Sequence, residues 1–155
     1  SFNKSITVHF NDDTVQAIHF PNAHSDSDAI IFFRKANVIH TGDLYLSNGF
    51  PIIDITQGGT VSGYIAAVER IIELCDEDTK LIPGHGPISD RKGLQAYRDM
   101  LMAAQDRIDE LMKEGKALEE VVAADPTVGL FRGGEKSWLP PKLFIYCVYQ
   151  ELLKL

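Results

Sequence analysis

Three short motifs in this sequence carry the side chains that could do chemistry. They are the segments His24–Asp28, His40–Asp43 and Pro83–Pro87, each placed where an apolar run stops. Their histidines and aspartates offer imidazole nitrogen and carboxylate oxygen, which are the donors that zinc accepts in catalytic sites. Zinc held in this way activates water for hydrolysis. The motifs therefore favour a metal-dependent hydrolase.

The elements that must position these motifs are predicted from hydrophobic patterning. Short β-branched and aromatic runs predict five strands, namely Ile6–Phe10, Val15–Phe20, Ala29–Phe33, Val38–Thr41 and Lys80–Ile82. Helical spacing predicts helices over Val61–Cys75, from Asp90 to Gly115, around Leu118–Val122 and after Pro141. Because strands come early and helices late, the pattern favours a mixed α/β layer with helices covering one face of a sheet.

The composition of the chain argues against two kinds of partner. A formal net charge of −7 over 155 residues, without a cluster of Lys or Arg, argues against nucleic acid. No apolar stretch approaches the roughly 20 residues that a membrane helix needs. Cys75 and Cys147 each lie in an apolar helical pattern, which favours buried thiols over a disulfide.

Taken together and in this order, the three motifs resemble those of the metallo-β-lactamase superfamily. The resemblance covers Val15–Pro87, and the helical tail is also similar to soluble members of that superfamily. It implies that His24 binds a first metal, that Asp43 bridges two metals and that His85 binds the second. Zinc is the implied cofactor, with two ions in the complete enzyme and weak or absent binding in this chain.

One part of the metal site of this superfamily is not found in the sequence, which contains no His-x-His-x-Asp-His cluster. The resemblance therefore implies the C-terminal half of an αβ/βα sandwich. Residues 1–90 are expected to form the C-terminal half of a metallo-β-lactamase-like domain, with a mixed or antiparallel sheet covered by helices. Residues 91–155 are expected to form a helical extension packing on it.

The function implied by the resemblance is hydrolysis of an ester, thioester, lactone or amide by a metal-bound hydroxide. Asp43 differs from the cysteine of the best-known zinc β-lactamases, which argues against β-lactam cleavage and is more similar to glyoxalase-II-type enzymes and lactonases. We expect the isolated chain to be inactive. Two alternatives stay open: a di-iron oxidoreductase, because these ligand types also suit iron, and a non-catalytic dimeric assembly module.

Further side chains are assigned supporting roles. Ser25 and Asp28 are expected to fix the loop around His24 by hydrogen bonds to backbone amides. The loop after Asp43 is predicted to shape a substrate pocket with three side chains, Tyr45, Phe50 and Asp54. Structural roles are predicted for the remaining histidines, His9, His19 and His40.

A missing half also predicts a partner. The resembled fold packs two sheets face to face, so this half alone would leave an apolar sheet face in water, which a monomer rarely tolerates. Either the missing N-terminal half or a second copy of the chain must cover that face, and we expect a homodimer with an isologous interface of about 2,000 Å² or more. The interface is predicted to use sheet residues such as Ile30, Phe32, Val38 and His40, whichever strand face points away from the helices. A small-molecule substrate is expected for the complete enzyme only.

Overall fold

The computed structural model of the chain describes residues 4–131 and 139–154. One six-stranded mixed sheet runs in the order of the chain, with strands β1 Ser5–Phe10, β2 Asp13–Phe20, β3 Asp28–Phe33, β4 Val38–Leu46, β5 Lys80–His85 and β6 Ser89–Asp90. The helices are α1 Val61–Leu74, α2 Arg91–Lys113, α3 Leu118–Ala124 and α4 Lys142–Leu152, and a 3₁₀ turn covers Ile55–Gln57. The predicted helices are all present at close to their predicted bounds.

The first four strands form the two predicted hairpins, and the sheet then changes direction. β1 to β4 pair antiparallel, and the β1–β2 turn places Asn11 and Asp12 at positive φ, as a two-residue hairpin turn requires. β4 and β5 pair in parallel, so the chain between them must cross over one face of the sheet, and α1 makes that crossing. The sheet therefore contains one parallel pair, β4–β5, among strands that otherwise pair antiparallel.

The strands around the motifs are longer than the sequence predicts. β4 continues past Thr41 to Leu46, and β5 continues past Ile82 to His85, because the two strands support each other as a parallel pair. Pro83 is tolerated in β5 because it lies opposite Gly42, where the register shifts and the regular ladder is interrupted. The two-residue strand β6 was not predicted.

Alternation along the strands divides the sheet into a covered face and an open face. Ile30, Phe32 and Ile39 lie on the covered face, where the helices bury each to less than 5% exposure. Val38 and His40 occupy the alternate positions and lie on the open face. The predicted interface set therefore mixed the two faces, and Ile30 and Phe32 belong to the core because their pleat positions point toward the helices.

Side chains cap the helices that cover the sheet. The Thr60 hydroxyl accepts from Gly63 N–H at the start of α1, and the Glu151 carboxylate of α4 accepts from Val61 N–H (2.5 Å) and Ser62 N–H (3.0 Å). The Asp90 carboxylate caps α2 by accepting from Gly93 N–H at 2.8 Å, as its sequence position predicts. These contacts satisfy amide groups that a helix leaves unpaired at its first turn.

Apolar side chains of the sheet, of α1 before residue 90 and of the helices after residue 90 form one core. Its fully buried members include Ile30, Ile39, Leu81, Leu94, Leu101, Phe144 and Ile145. Burial of one such side chain contributes about 1.5–3 kcal/mol. Cys75 and Cys147 are free thiols buried in this core, as predicted, and burial raises the pKa of Cys75 to about 11. Across the described segments, no helix combines the length and apolar character that a membrane crossing requires.

The open face of the sheet carries an apolar strip at its β1 end. Val8 pairs with Val15, which pairs with Phe33, so these side chains lie side by side, and Ile6 lies on the same face. Val8 is 51% exposed and Phe33 is 37% exposed. A contiguous apolar strip of this kind is unusual on the surface of a monomer.

We expect the isolated chain to self-associate through this strip. The double variant Val8→Glu with Phe33→Glu places like charges in the contact and is expected to shift the chain toward monomer in light scattering at micromolar concentration. Its far-UV circular dichroism should stay close to that of the wild type, because neither side chain belongs to the core.

The matched control is Met102→Glu, which adds a charge at an exposed apolar side chain on α2, on the helical side of the molecule. This control should leave association unchanged. A wild-type chain that stays monomeric and binds no apolar dye would refute the prediction.

Candidate metal centre

The parallel pair β4–β5 brings two of the three predicted ligands together. Asp43 lies in β4 and His85 ends β5, so both side chains emerge at the same edge of the sheet. Asp43 Oδ1 lies 3.4 Å from His85 Nε2, and the two side chains are 45% and 42% exposed. A carboxylate and an imidazole thus converge at a solvent-accessible point, which is the donor chemistry that zinc accepts.

Gly84 makes this convergence sterically feasible. A Cβ added to Gly84 would lie 2.5 Å from Asp43 Oδ1 and 2.7 Å from the carbonyl group of Gly42. Real Cβ atoms do not approach other atoms so closely, so any larger residue would displace the carboxylate or separate the strands. The glycine before His85 is therefore needed to let the Asp43 side chain lie against β5. The sequence motif indicated open space at this glycine but not this contact.

Tyr64 of α1 holds the backbone of Asp43, a role that sequence reasoning missed. Its hydroxyl donates to the Asp43 carbonyl oxygen at 2.9 Å and lies 3.0 Å from the Tyr97 hydroxyl of α2. Burial raises the pKa of both tyrosines, so both hydroxyls stay protonated. The available signal was a tyrosine in the apolar stripe of a helix, because a buried tyrosine hydroxyl needs a partner.

His24 lies in the loop between β2 and β3 and contacts Asp28. His24 Nδ1 is 3.4 Å from Asp28 Oδ1, with side chains that are 28% and 11% exposed. Asp28 Oδ2 also accepts from Ser25 N–H at 2.6 Å and from the Ser25 hydroxyl at 3.2 Å. The structure therefore brings His24, Ser25 and Asp28 into one hydrogen-bonded loop, with Nδ1 of the imidazole directed at the carboxylate.

Residues 54–59, which follow β4 in the chain, contact the backbone of the His24 loop. Asp54 N–H donates to the His24 carbonyl oxygen at 2.7 Å, and a Cβ on Gly59 would lie 2.3 Å from the same oxygen. Asp54 Oδ1 accepts from Thr56 N–H, the Thr56 hydroxyl and Gln57 N–H, which caps the 3₁₀ turn. Asp54 thus organises the loop with both its backbone and its side chain.

The pKa values of His24 and Asp28 are shifted by their mutual contact, by burial and by neighbouring groups. The hydrogen bond to Asp28 raises the pKa of His24, burial opposes that rise, and the charges of Asp28, Asp43 and Asp54 add to it. For Asp28, burial acts to raise the pKa, but the hydrogen bonds from His24 and Ser25 outweigh it and the pKa is lowered. The His24 imidazole therefore lies in a negative field that favours its protonated form.

The three predicted ligands do not form a complete metal cluster. Within residues 4–131 and 139–154, no group of three His, Cys, Asp or Glu side chains is placed to hold one ion. Asp43 and His85 form a pair, while His24 pairs with Asp28. The donor types suit a metal, but their number at any one point leaves it under-coordinated, because zinc takes four ligands.

Two of the predicted substrate-loop residues are buried. Tyr45 is part of β4 and 3% exposed, and Phe50 is 2% exposed with its ring 5.3 Å from that of Phe144. Phe50 therefore packs in the core and does not line a substrate loop, because the chain turns inward after β4. The Tyr45 hydroxyl lies 2.9 Å from the Ser89 hydroxyl and borders a cavity beside α2.

The other histidines each contact nearby backbone or hydroxyl groups. His40 Nδ1 accepts from Gly42 N–H at 3.1 Å, His19 Nε2 lies 2.8 Å from the Asp26 carbonyl oxygen, and His9 Nδ1 lies 3.1 Å from the Thr14 hydroxyl. His40 is exposed on the open face, beside the turn of backbone that carries Asp43.

Known structures share this architecture. A stereoselective inverting sec-alkylsulfatase from Pseudomonas sp. matches with a TM-score of 0.76 and 18% identity, over 99% of this chain and 26% of its own. A metallo-β-lactamase family protein from Thermus thermophilus matches with a TM-score of 0.70 and 15% identity, over 99% of this chain and 48% of its own. A metallo-β-lactamase from Pontibacter korlensis matches with a TM-score of 0.56 and 15% identity, over 66% of this chain and 47% of its own. No protein-family model matches the sequence, and no curated protein is significantly similar to it.

The chain has the fold of one part of these metallo-β-lactamase-like structures, so the predicted resemblance and fold class are confirmed at the level of the fold. It spans less than half the length of each of these three structures. Two of the matches cover 99% of the chain, so they include the helical region after β6. The shared fold is thus a mixed sheet with helices on one face and a helical tail.

The contact between His24 and Asp28 predicts a pH dependence. In the metal-free chain kept in chelator, the pKa of His24 should lie above its ordinary value of 6.5, and Asp28→Asn should lower it, because burial then acts without the compensating carboxylate. A raised pKa stabilises the folded state below pH 6.5, and that contribution disappears as the pH rises through the folded-state pKa. An NMR titration of the His24 ring and unfolding measured across this range provide the test.

The matched control is Asp26→Asn, which removes an exposed carboxylate from the same loop. It should leave the His24 titration close to that of the wild type. An unchanged His24 pKa in Asp28→Asn would contradict the assigned cause.

Proposed function

We propose that this chain is the C-terminal portion of a zinc-dependent metallo-hydrolase that cleaves an ester, thioester, lactone or amide. The observation that carries the proposal is the convergence of Asp43 and His85 at the sheet edge, on a fold shared with metallo-β-lactamase-like proteins. Gly84 supports it, because its lack of a side chain is what lets the carboxylate reach that position.

Each residue has a definite part in this proposal. Asp43, His85 and His24 would hold two zinc ions, with Asp43 as the shared ligand. Asp28 contacts Nδ1 of His24, which would leave Nε2 as the ligating atom. Tyr64 fixes the backbone of Asp43 against α1. The zinc ions, when bound, supply polarisation of the substrate carbonyl and activation of water.

The remaining ligands come, in this proposal, from a second segment that packs on the open face of the sheet. The chain spans 26% and 48% of the two structures that match it over 99% of its length, which leaves room for such a segment in a complete enzyme. The exposed apolar side chains of the open face give that segment its contact surface. The chain alone is then inactive, because its three ligands cannot complete two coordination spheres.

A second candidate function is a non-catalytic assembly module, and the open apolar face is the observation that favours it. In that case a second copy of the chain covers the strip formed by Ile6, Val8 and Phe33. The two functions differ in what they require of Asp43 and His85, because an assembly module has no use for a carboxylate and an imidazole that converge at an exposed edge. Metal binding therefore separates them.

Zinc binding by the isolated chain is expected to be weak but dependent on the proposed ligands. Calorimetry should show low affinity, and His85→Ala should reduce the binding heat further, because only Asp43 would be left at that point of the sheet edge. His9→Ala is the control, since it removes a histidine at the far edge of the sheet. A tight site for two zinc ions on the isolated chain would overturn the half-site proposal, and equal binding by the wild type and His85→Ala would support the assembly module.

In the complete enzyme, Asp43→Asn should reduce hydrolysis far more than His40→Ala. The asparagine keeps the shape that fits beside Gly84 but removes the bridging charge, whereas His40→Ala removes only an acceptor for the Gly42 amide. We expect Asp43→Asn to lose more than the roughly 10–100-fold that outer partners of a metal ligand contribute, and His40→Ala to stay within about tenfold of the wild type. Rates with p-nitrophenyl acetate, measured on zinc-loaded and iron-loaded enzyme, provide the comparison.

Equal losses in two folded variants would show that the roles of these two residues are misassigned. Activity with iron but not with zinc would replace the zinc assignment.

A further inference from the structure

We propose that the cavity between the His85 loop and α2 binds an apolar, uncharged group of the substrate, such as an alkyl or acyl chain. That the cavity lies beside the reacting bond rests on the proposed function. That it binds an apolar group rests on the residues that line it. The cavity has a volume of about 550 Å³ and is bounded by β4, β6, the first half of α2 and residues 129–131. That volume lies within the roughly 300–1,000 Å³ that is typical of small-molecule sites.

The floor and walls of the cavity are largely carbon. Tyr45 and Tyr97 form the floor, with ring centroids 5.0 Å apart, and Met100, Leu130 and Phe131 line the sides. Such a surface gains free energy by removing an apolar ligand from water.

The hydroxyl groups around the cavity already have partners within the protein. The Tyr45 hydroxyl is hydrogen-bonded to that of Ser89 (2.9 Å), and the Tyr97 hydroxyl to that of Tyr64 (3.0 Å). The Ser47 hydroxyl donates to the Pro87 carbonyl oxygen at 2.8 Å. A polar ligand would therefore lose its hydration without gaining equivalent hydrogen bonds, so the cavity selects against it.

The described lining of the cavity offers no cationic side chain to an anionic ligand. Asp99 is the single charged side chain among the described residues that line the cavity, and it pairs with Arg98 at 2.6 Å at the surface. A ligand carboxylate or phosphate would find no cationic side chain to pair with among the described residues that line the cavity. The favoured ligand group is accordingly neutral.

The cavity adjoins the proposed metal ligands through Ser47. Ser47 N–H donates to the His85 carbonyl oxygen at 3.0 Å, and Ser47 and Pro87 both line the cavity. A second connection runs through Tyr97, whose hydroxyl is hydrogen-bonded to that of Tyr64. The Tyr64 hydroxyl in turn donates to the Asp43 carbonyl oxygen. In the proposed function, this neighbouring cavity would receive a group attached to the bond cleaved at Asp43 and His85.

The test uses 1-octanol and the whole chain with labelled methyl groups, in chelator and without added metal. NMR titration should give saturable shifts at Met100 and Leu130, and sodium octanoate should bind more weakly than 1-octanol. Ala103→Trp fills the cavity and should weaken octanol binding at least about tenfold. Ala66→Trp is the matched control on the exposed side of α1 and should bind like the wild type.

Ala96→Trp is a second filling variant on the same wall, for the case in which Ala103→Trp does not fold. Shifts confined to Val8 and the open face of the sheet would overturn the proposal. So would unaltered binding in a folded filling variant, or tighter binding of octanoate. Because no metal or turnover enters this measurement, its failure is distinct from a failure of hydrolysis in the complete enzyme.

Discussion

The parallel pairing of β4 with β5 is the constraint on which the rest of this structure depends. A parallel neighbour cannot be reached by a tight turn, so the chain leaves β4, forms α1 across one face of the sheet and returns. That crossing decides which face is covered, places Tyr64 beneath Asp43, and brings the ends of β4 and β5 to one edge. The helical layer and the Asp43–His85 pair therefore have a common cause.

Glycine permits close backbone contacts at two places, one beside Asp43 and one beside His24. Gly84 admits the Asp43 carboxylate, and Gly59 admits the His24 carbonyl oxygen. In each case an added Cβ would lie closer than van der Waals contact allows. Residues without side chains therefore permit the close contacts around Asp43 and His24. The proposed ligands are Asp43, His85 and His24, and the glycines beside them permit their placement.

Much of the fold was predictable from the sequence because its signals are local. Helix α2 follows from regular apolar spacing between an Asp90 cap and Gly115, and both hairpins follow from polar turns between β-branched runs. The ends of β4 and β5 were not predictable, because Gly42 and Pro83 read as strand breakers and only their mutual pairing across the sheet overrides that reading. The burial of Phe50 was missed for the same reason, since its partner Phe144 is distant in sequence.

The Glu151 carboxylate on the first amides of α1 has a consequence for how the molecule unfolds. It joins the last helix to the helix that supports Asp43, across 90 residues of sequence. Loss of α4 would leave those amides and much of the core exposed, so the sheet edge and the chain's final helix belong to one cooperative unit. Slow hydrogen exchange at the β4 backbone would then report on the integrity of α4, and proteolytic removal of the tail would expose the first amides of the helix whose Tyr64 holds the Asp43 backbone.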